Sequence, residues 1–591
     1  MRDVIVIGAG AGGPVVAKEL AAKGLDVLVL EAGPRRADPR SEWTSYENDA
    51  NNPLTGFLRF GPADRSKPAW FRETPQNSFL WQVSGVGGTT QHYFGNSPRA
   101  YPGVFEGYEG RDKSRYDVDH LFPFSYEEML PYFQRVEDTT PISTAAMGPN
   151  EALFLKGCET TGLPVQTQRT TTGPAYRPQE NAILQPGGHA GRTRDENLLV
   201  YPEATGCTMC GHCFQGCMRP ARAPRNKFAK RSTDNSYMPM ALTADVWAEG
   251  GKPVDLITDA FVMQIHTEEV GGETTATGVT WRDGASGDIH REDAKVVVMS
   301  AGCTENPRLW FNSGLPNPND WVGRGYTDHY FDWVVGVFDE DTGASRGVGS
   351  GARLDFPPHG AIMQVGIPPA IASFAATFSD SGIRGHYGNG RGGTGPWDGD
   401  AGRFVGPELK ELMGNGIDRL MFILVMTDDD VEAQNRATLS ALPGDEHGAV
   451  SKVEFHHRNR SGRTRNNREA LVRKAVEVQR GAGARKVFRL DWPPLILHVQ
   501  SSMRMGRSAE NSVLDPTGEA RWVKRLFIAD NSAMSNCAGG PNPTLTSQAL
   551  STRTAEKLYT KYFDGDPFVG HDDLVVSTDD RISKRLQELD L

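Results

Sequence analysis

The sequence has no apolar run long enough to cross a bilayer, which takes about 20 residues. At 38% apolar residues and a mean hydropathy of −0.47 it is not a multipass membrane protein. Positive charge is in short supply too. Lys plus Arg number 63 against 74 for Asp plus Glu, a net charge of −11, so the chain is a poor candidate for non-specific nucleic-acid binding, which runs on clustered Lys and Arg. There is no address at the start. Met1-Arg2-Asp3 leads straight into Val4-Ile5-Val6-Ile7, with no long h-region and no A-x-A cleavage site. The expectation is a cytoplasmic protein, or one that reaches the periplasm with a partner carrying the signal. Cysteine is scarce, seven in 591 residues, and four of these share one short segment, which is not a disulfide framework. No internal repeat and no long linker is visible. One compact particle is therefore expected, from a length that suits one large two-domain enzyme as well as roughly three to four smaller domains.

What is plentiful is glycine, 66 residues, together with aromatics, a pairing that points to tight turns and close backbone approaches rather than disorder. The first such turn is the most informative. Val4–Ile7 reads as a strand buried on both faces, and Gly8, Gly10 and Gly13 then fill G-x-G-x-x-G. A helix is predicted over Val15 to Lys23 and ends at Gly24; Val27 to Leu30 reads as a second strand with Glu31 at its carboxyl end. Gly8 permits the turn, Gly10 admits a pyrophosphate to the backbone, and Gly13 lets helix and strand pack closely. The helix amino terminus offers free N–H groups to phosphate. Glu31 can accept both hydroxyls of an unphosphorylated adenosine ribose. The unit binds a dinucleotide, and by itself does not separate NAD from FAD.

Three further segments carry a resemblance. Trp81 to Tyr93 reads WQVSGVGGTTQHY; Val297 to Leu309 reads VVMSAGCTENPRL; and the carboxyl-terminal part runs from His498-Val499-Gln500-Ser501-Ser502-Met503-Arg504-Met505-Gly506, through Leu526 to Ser532, to Gly540-Pro541-Asn542-Pro543-Thr544-Leu545-Thr546. In this order they resemble the glucose–methanol–choline (GMC) oxidoreductases, and within them the sugar oxidoreductases of the pyranose oxidase and glucoside dehydrogenase type. Ser501 and Asn531 stand where that pattern usually has glycine. The resemblance implies an α/β fold, α+β overall: a Rossmann-type FAD-binding domain, discontinuous in sequence over 1–110, 200–330 and 490–565, a cap at 111–199, and an antiparallel-sheet substrate domain at 331–489. A tail covers 566–591. Trp333 to Phe338 and Leu420 to Val425 read as strands of that sheet.

The resemblance also assigns roles. Oxidising an alcohol carbon needs a base for the hydroxyl proton while a hydride leaves for flavin N5. His498 occupies the base position, suited by a pKa close to neutral, and Asn542 the second place of the pair. FAD contacts are implied at Gly8, Gly10, Gly13, Glu31, Gly88, Thr89, His92, Ala301, Asp530, Pro543 and Thr544. His92 either carries the flavin covalently or packs beside it. The turn at Asp328-His329 is given no chemistry. His456 and His457, adjacent in the chain, would face opposite ways in a strand and could not share a metal.

Cys207, Cys210, Cys213 and Cys217 form C-x₂-C-x₂-C-x₃-C, the spacing of a ferredoxin run. It points to a [4Fe–4S] or [3Fe–4S] cluster, with zinc or free thiols as the alternatives. Arg219, Arg222, Arg225, Lys227, Lys230 and Arg231 make the neighbourhood basic, either as a solvated face or as compensation for an anionic group. A cluster would favour a dehydrogenase that passes electrons from a sugar or glycoside to an external, cytochrome-type acceptor, with a small partner subunit. A sugar oxidase using oxygen with structural cysteines, and a lyase of the same fold with structural FAD, are the alternatives. Gly382 to Gly402 is expected to be a mobile loop. The closing segment, with helical spacing at Ile582, Leu586 and Leu589, is expected to dock on the body or a partner.

Overall fold

Val4, Ile5, Val6 and Ile7 are all buried. Val4 and Val6 enter one apolar cluster and Ile5 and Ile7 another, so the strand they form needs a covering layer on each face. That requirement sets the architecture of the computed structural model. It describes residues 1–35, 72–73, 79–80, 82–108, 119–185, 206–207, 209–211, 213, 217, 229–367, 372, 395–398, 406–456, 460–490 and 495–591. In chain order these form β1 (Arg2–Ile7), α1 (Gly13–Ala22), β2 (Val27–Leu30), α2 (Tyr126–Thr139), α3 (Pro149–Glu159), β3 (Ala175–Pro178), α4 (Tyr237–Leu242), β4 (Asp255–Ile257), β5 (Ala260–Val270), β6 (Glu273–Asp283), β7 (Ile289–Met299), α5 (Gly302–Asn312), β8 (Asp332–Val337), β9 (Ala352–Phe356), β10 (Gly360–Val365), β11 (Leu420–Thr427), α6 (Gly462–Ala482), β12 (Lys486–Leu490), β13 (Leu526–Ile528), α7 (Thr544–Tyr562) and α8 (Asp580–Glu588).

The first sheet is parallel in the order β4-β2-β1-β7-β13. Its strands come from distant parts of the chain: this is a Rossmann-type domain, discontinuous in sequence. The amino-terminal half of β7 leaves the parallel array and pairs antiparallel with β6, which pairs with β5. Helix α1 starts two residues before the predicted point, because Pro14 suits the first turn, where no backbone N–H bond is lost. At the turn between β1 and α1 a side chain on Gly13 would meet the Gly8 carbonyl oxygen at 2.0 Å, whereas one on Gly10 would meet nothing within 4 Å.

The second sheet is antiparallel throughout, in the order β12-β8-β11-β10-β9-β3. Helices α3 and α6 cover its back, where Phe154, Leu471 and Val476 pack on Val334, Ile423 and Leu354. On the front, the register sets Leu490, Trp333, Leu424, Met363, Arg353 and Arg177 side by side across the six strands. That face is apolar over four strands and cationic over the last two. The two runs predicted as strands at 333–338 and 420–425 are β8 and β11.

Helix α8 docks on the body, with Ile582 and Leu586 buried in the cluster that holds Met238 and Leu242 of α4. Leu589 does not continue the stripe. The helix ends at Glu588 and Leu589 is 38% exposed. Of the glycine-rich run 382–402, only Gly395 to Asp398 lies among the described residues; the expected loop otherwise falls outside them.

Two substitutions separate the tasks of the turn. Gly13→Ala forces backbone apart and should lower stability by about 1–3 kcal/mol, read as a fall in the thermal midpoint. Gly10→Ala should melt like the dinucleotide-free native protein and be purified with little bound dinucleotide; full retention would sink this division of roles.

Candidate active site

A cleft opens beyond the carboxyl ends of β1, β2 and β7, the usual ligand position of an open α/β sheet. Gly8, Gly10, Glu31, Gly88, Thr89, Ala301 and Asp530 line it. Glu31 Oε2 accepts the Ala9 N–H at 2.7 Å and Oε1 accepts the Gly33 N–H at 2.8 Å, and the Gly85 N–H also bonds the carboxylate, so it is fixed in place. Burial raises its pKa, and the backbone N–H groups oppose that. Asp530 Oδ2 accepts Gly302 N–H at 2.8 Å and Asn306 Nδ2–H at 2.9 Å, which ties β13 to the start of α5. Ala301 precedes α5, and its N–H donates to Asn306 Oδ1 at 3.0 Å. Gly88 and Thr89 open a short 3₁₀ turn, Gly88–Gln91, and His92 ends it, buried, its N–H on the Thr89 carbonyl. Pro543 and Thr544 begin α7, whose amino terminus has no side-chain cap, so its N–H groups remain available to a ligand carbonyl or phosphate. The glycine cradle, the anchored acid and the uncapped helix fit an elongated dinucleotide. Trp81 lies outside the described residues.

Between Leu497 and Val499, which line the cleft, stands His498, itself not among the lining residues. Its backbone N–H is held by Asp328 Oδ1 at 2.8 Å and its carbonyl by Gln500 Nε2 at 2.7 Å. The imidazole contacts Asn542 on one side, Nε2 to Nδ2 at 3.4 Å, and His329 on the other, Nδ1 to Nδ1 at 2.8 Å. His329 Nε2 lies 2.8 Å from the Cys537 carbonyl oxygen. Burial first, then His329 and Arg353, drives the His498 pKa well below the usual 6.5, and burial takes His329 down to about 4. Both rings are neutral at pH 7. Phe331 packs edge-on against His498 at 5.1 Å.

Behind Asn542 lies a fully buried guanidinium. Arg353 Nη1 donates to Asn542 Oδ1 at 3.4 Å and to Gln179 Oε1 at 3.5 Å, and Nε donates to Asp355 Oδ1 at 2.9 Å. Tyr101 Oη donates to the same carboxylate oxygen at 2.7 Å. The structure thus brings His498 and Asn542 together and adds His329 and Arg353, neither of which the sequence reading gave a task. The available signal for Arg353 was Arg353-Leu354-Asp355, two charges on one face of an apolar strand.

Ser501 adopts φ +72°, the left-handed conformation that glycine takes without strain. Its hydroxyl meets Thr327 Oγ1 at 3.3 Å. The usual backbone geometry is kept with a side chain present.

None of the four clustered cysteines is in a disulfide. Cys207, Cys213 and Cys217 are buried with Ile183, Ala229 and Val348. Burial pushes Cys207 up to about 12 and Cys217 to about 11. The Cys213 thiol feels the other three, Cys217 first. Among the described residues no three His, Cys, Asp or Glu side chains are grouped so as to hold a metal ion. Lys230 and Arg231 are buried rather than part of a solvated face; the other basic residues of the run, Arg219 to Lys227, lie outside the described ones. Lys230 Nζ donates to the carbonyls of Gln91, Tyr93 and Cys213 at 2.6, 2.8 and 2.8 Å, joining the cysteine loop to the turn that carries His92. His456 follows the strand Ser451–Glu454 and its N–H donates to Asn435 Oδ1; His457 lies outside the described residues.

Comparison with known proteins decides the family. The GMC oxidoreductase models match residues 3–331 for the amino-terminal part and 455–551 for the carboxyl-terminal part. The chain belongs to the GMC oxidoreductases. It is a flavoprotein oxidoreductase acting on CH–OH donors, and the family typically binds FAD. Among its relatives, 2-methyl-1,2-propanediol dehydrogenase of Mycolicibacterium austroafricanum is 26% identical over 95% of this chain and 96% of its own. The fructose dehydrogenase large subunit of Gluconobacter japonicus is 25% identical over 94% and 97%. Paromamine 6'-oxidase of Streptomyces fradiae is 24% identical over 94% and 91%. The crystal structure of pyridoxine 4-oxidase from Mesorbium loti shares the fold, with a TM-score of 0.59 at 15% identity over 96% of this chain and all of that one. No helix among the described residues is long and apolar enough to cross a membrane.

Replacing Ser501 by glycine should release left-handed strain of roughly 1 kcal/mol. A thermal midpoint equal to or below that of the native protein would show that the Thr327 contact outweighs it.

Proposed function

We propose that this GMC oxidoreductase is a dehydrogenase that oxidises a ring CH–OH of a sugar or glycoside, with His498 as the base and Asn542 as the group that holds the substrate oxygen. The observation that carries this is a buried His498 imidazole 3.4 Å from Asn542, between two residues that line the dinucleotide cleft. His498 removes the hydroxyl proton. The Asn542 amide N–H donates to the same oxygen and fixes the angle at which its C–H points, and Phe331 keeps water from the base. Bound FAD would supply the hydride acceptor. Gly8, Gly10, Gly13, Glu31, Gly88, Thr89, Ala301, Asp530, Pro543 and Thr544 would hold it, with His92 beside the ring or bonded to it.

The C-x₂-C-x₂-C-x₃-C spacing of Cys207, Cys210, Cys213 and Cys217 supports an electron outlet away from oxygen, and Lys230 ties the Cys213 carbonyl to the His92 turn; in this structure the four side chains are not grouped to hold a metal ion. An iron–sulfur cluster held there would supply one-electron transfer to an external acceptor. The dehydrogenase names of two relatives support the same reading, and the large-subunit name of one supports a partner subunit. Such a subunit would bring a cytochrome-type acceptor to the chain. The second reading is an oxidase, which the aminoglycoside oxidase among the relatives favours. A lyase of this fold would leave its flavin oxidised.

Anaerobic mixing with a panel of sugars, glycosides and small diols should bleach the flavin. His498→Asn should slow this by about 10²–10⁴-fold, and an unchanged rate removes the base assignment. Because burial lowers the His498 pKa, its base form persists on acidification. The reduction rate should stay flat from about pH 8 to about pH 6 and fall only in more acidic solution; a midpoint near 7 contradicts this. Iron and sulfide analysis of the purified chain should find both. Fast peroxide formation by an iron-free protein would establish the oxidase instead.

A further inference from the structure

His329 entered the site without a task, yet it makes the shortest contact that the His498 ring has. Its surroundings determine where the protons are. Burial keeps His329 uncharged, so it carries one proton on one ring nitrogen. Nε2 faces the Cys537 carbonyl oxygen at 2.8 Å. A carbonyl only accepts, so the proton must lie on Nε2, and Nδ1 is bare. Nδ1 of His329 in turn lies 2.8 Å from Nδ1 of His498. Two bare nitrogens at that distance would repel, so His498, also neutral, carries its proton on Nδ1. Its Nε2 is left with an open lone pair.

The other side of the chain agrees independently. Arg353 can only donate, and its Nη1 lies 3.4 Å from Asn542 Oδ1. That fixes the amide with Oδ1 toward the guanidinium and Nδ2 toward His498 Nε2, at 3.4 Å. A donor therefore faces the nitrogen that the first chain left bare. The two determinations start from groups of fixed polarity, a carbonyl and a guanidinium, and meet at one atom.

We propose that His329 is a positioning residue that sets the tautomer of His498, with the Cys537 carbonyl as the anchor, so that the base always presents Nε2 as an acceptor beside Asn542. This deepens the reading of His498 as the base and rests on it. In the step itself the hydroxyl proton arrives at Nε2, His498 becomes an imidazolium, and its Nδ1–H continues to donate to His329 Nδ1. No proton has to leave Nδ1, and His329 stays neutral. Without His329 the imidazole can settle with its proton on Nε2, pointing a donor where an acceptor is required.

The test compares variants of the FAD-loaded protein by anaerobic flavin reduction at saturating substrate, with ¹⁵N-histidine NMR of the native protein. His329→Leu removes the acceptor and should slow reduction by about 100-fold with flavin content unchanged. His329→Gln can accept from His498 through its carbonyl and donate to Cys537 through its amide, and should stay within about fivefold. The His498 signal, identified by its loss in His498→Asn, should show a protonated Nδ1 and a bare Nε2. A native-like rate in His329→Leu, or a proton on Nε2 of His498 in the native protein, overturns the proposal. Should the Leu variant not fold, the NMR spectrum of the native protein still decides. If His498→Asn itself reduces flavin normally, the base reading fails rather than the tautomer assignment.

Discussion

The arrangement around His498 depends on keeping a buried imidazole uncharged. A charged His498 would have to be accommodated beside Arg353 and a second ring, without water. The neutral ring is instead held entirely by hydrogen bonds: Asp328 on its backbone N–H, Gln500 on its carbonyl, His329 and Asn542 on its two nitrogens. The electrostatics of the site follow from that choice. The nearby carboxylate Asp355 is spent on Arg353 and Tyr101 rather than aimed at His498, and Asp328, which does touch its backbone, is pushed well above the normal aspartate range by burial. A charged carboxylate set against the ring would stabilise imidazolium, raise its pKa and leave less of the ring in the neutral, proton-accepting form near pH 7.

The parts of this arrangement that could be read from the sequence are those whose cause is local. Val4 to Leu30 contains its own explanation: a two-sided strand, glycines placed where side chains would strike backbone, a proline in the first turn of a helix. Two strands of the second sheet are likewise legible as the apolar runs from Trp333 and from Leu420. The GMC motifs then placed His498 and Asn542 by likeness. What escaped was made by contacts between distant segments. His329 and His498 are 169 residues apart, Arg353 and Asn542 189, and nothing in either neighbourhood announces the other. The end of α8 was missed for a smaller reason: Leu589 fits the spacing of its stripe, but the chain stops being helical one residue before it.

The two sheets contribute differently to the site. The parallel sheet offers backbone: strand ends, glycine turns and uncapped helix starts that hold a dinucleotide without many charged side chains. The antiparallel sheet offers side chains. Its row from Leu490 to Arg177 is greasy for most of its width and charged at one border. Asn542 meets the charged border through Arg353, so a molecule lying along that face has one end for polar groups and one for carbon.

Lys230 has a consequence for assembly. Its ammonium satisfies three main-chain oxygens drawn from two separate stretches, residues 91–93 and Cys213. Withdrawing either stretch would strand a buried cation or orphan buried oxygens, each a penalty of about 1–3 kcal/mol or more. Neither stretch can therefore settle alone. The turn that lines the cleft and the thiol-bearing loop must order in one cooperative event, and a lesion in one will be felt as looseness in the other.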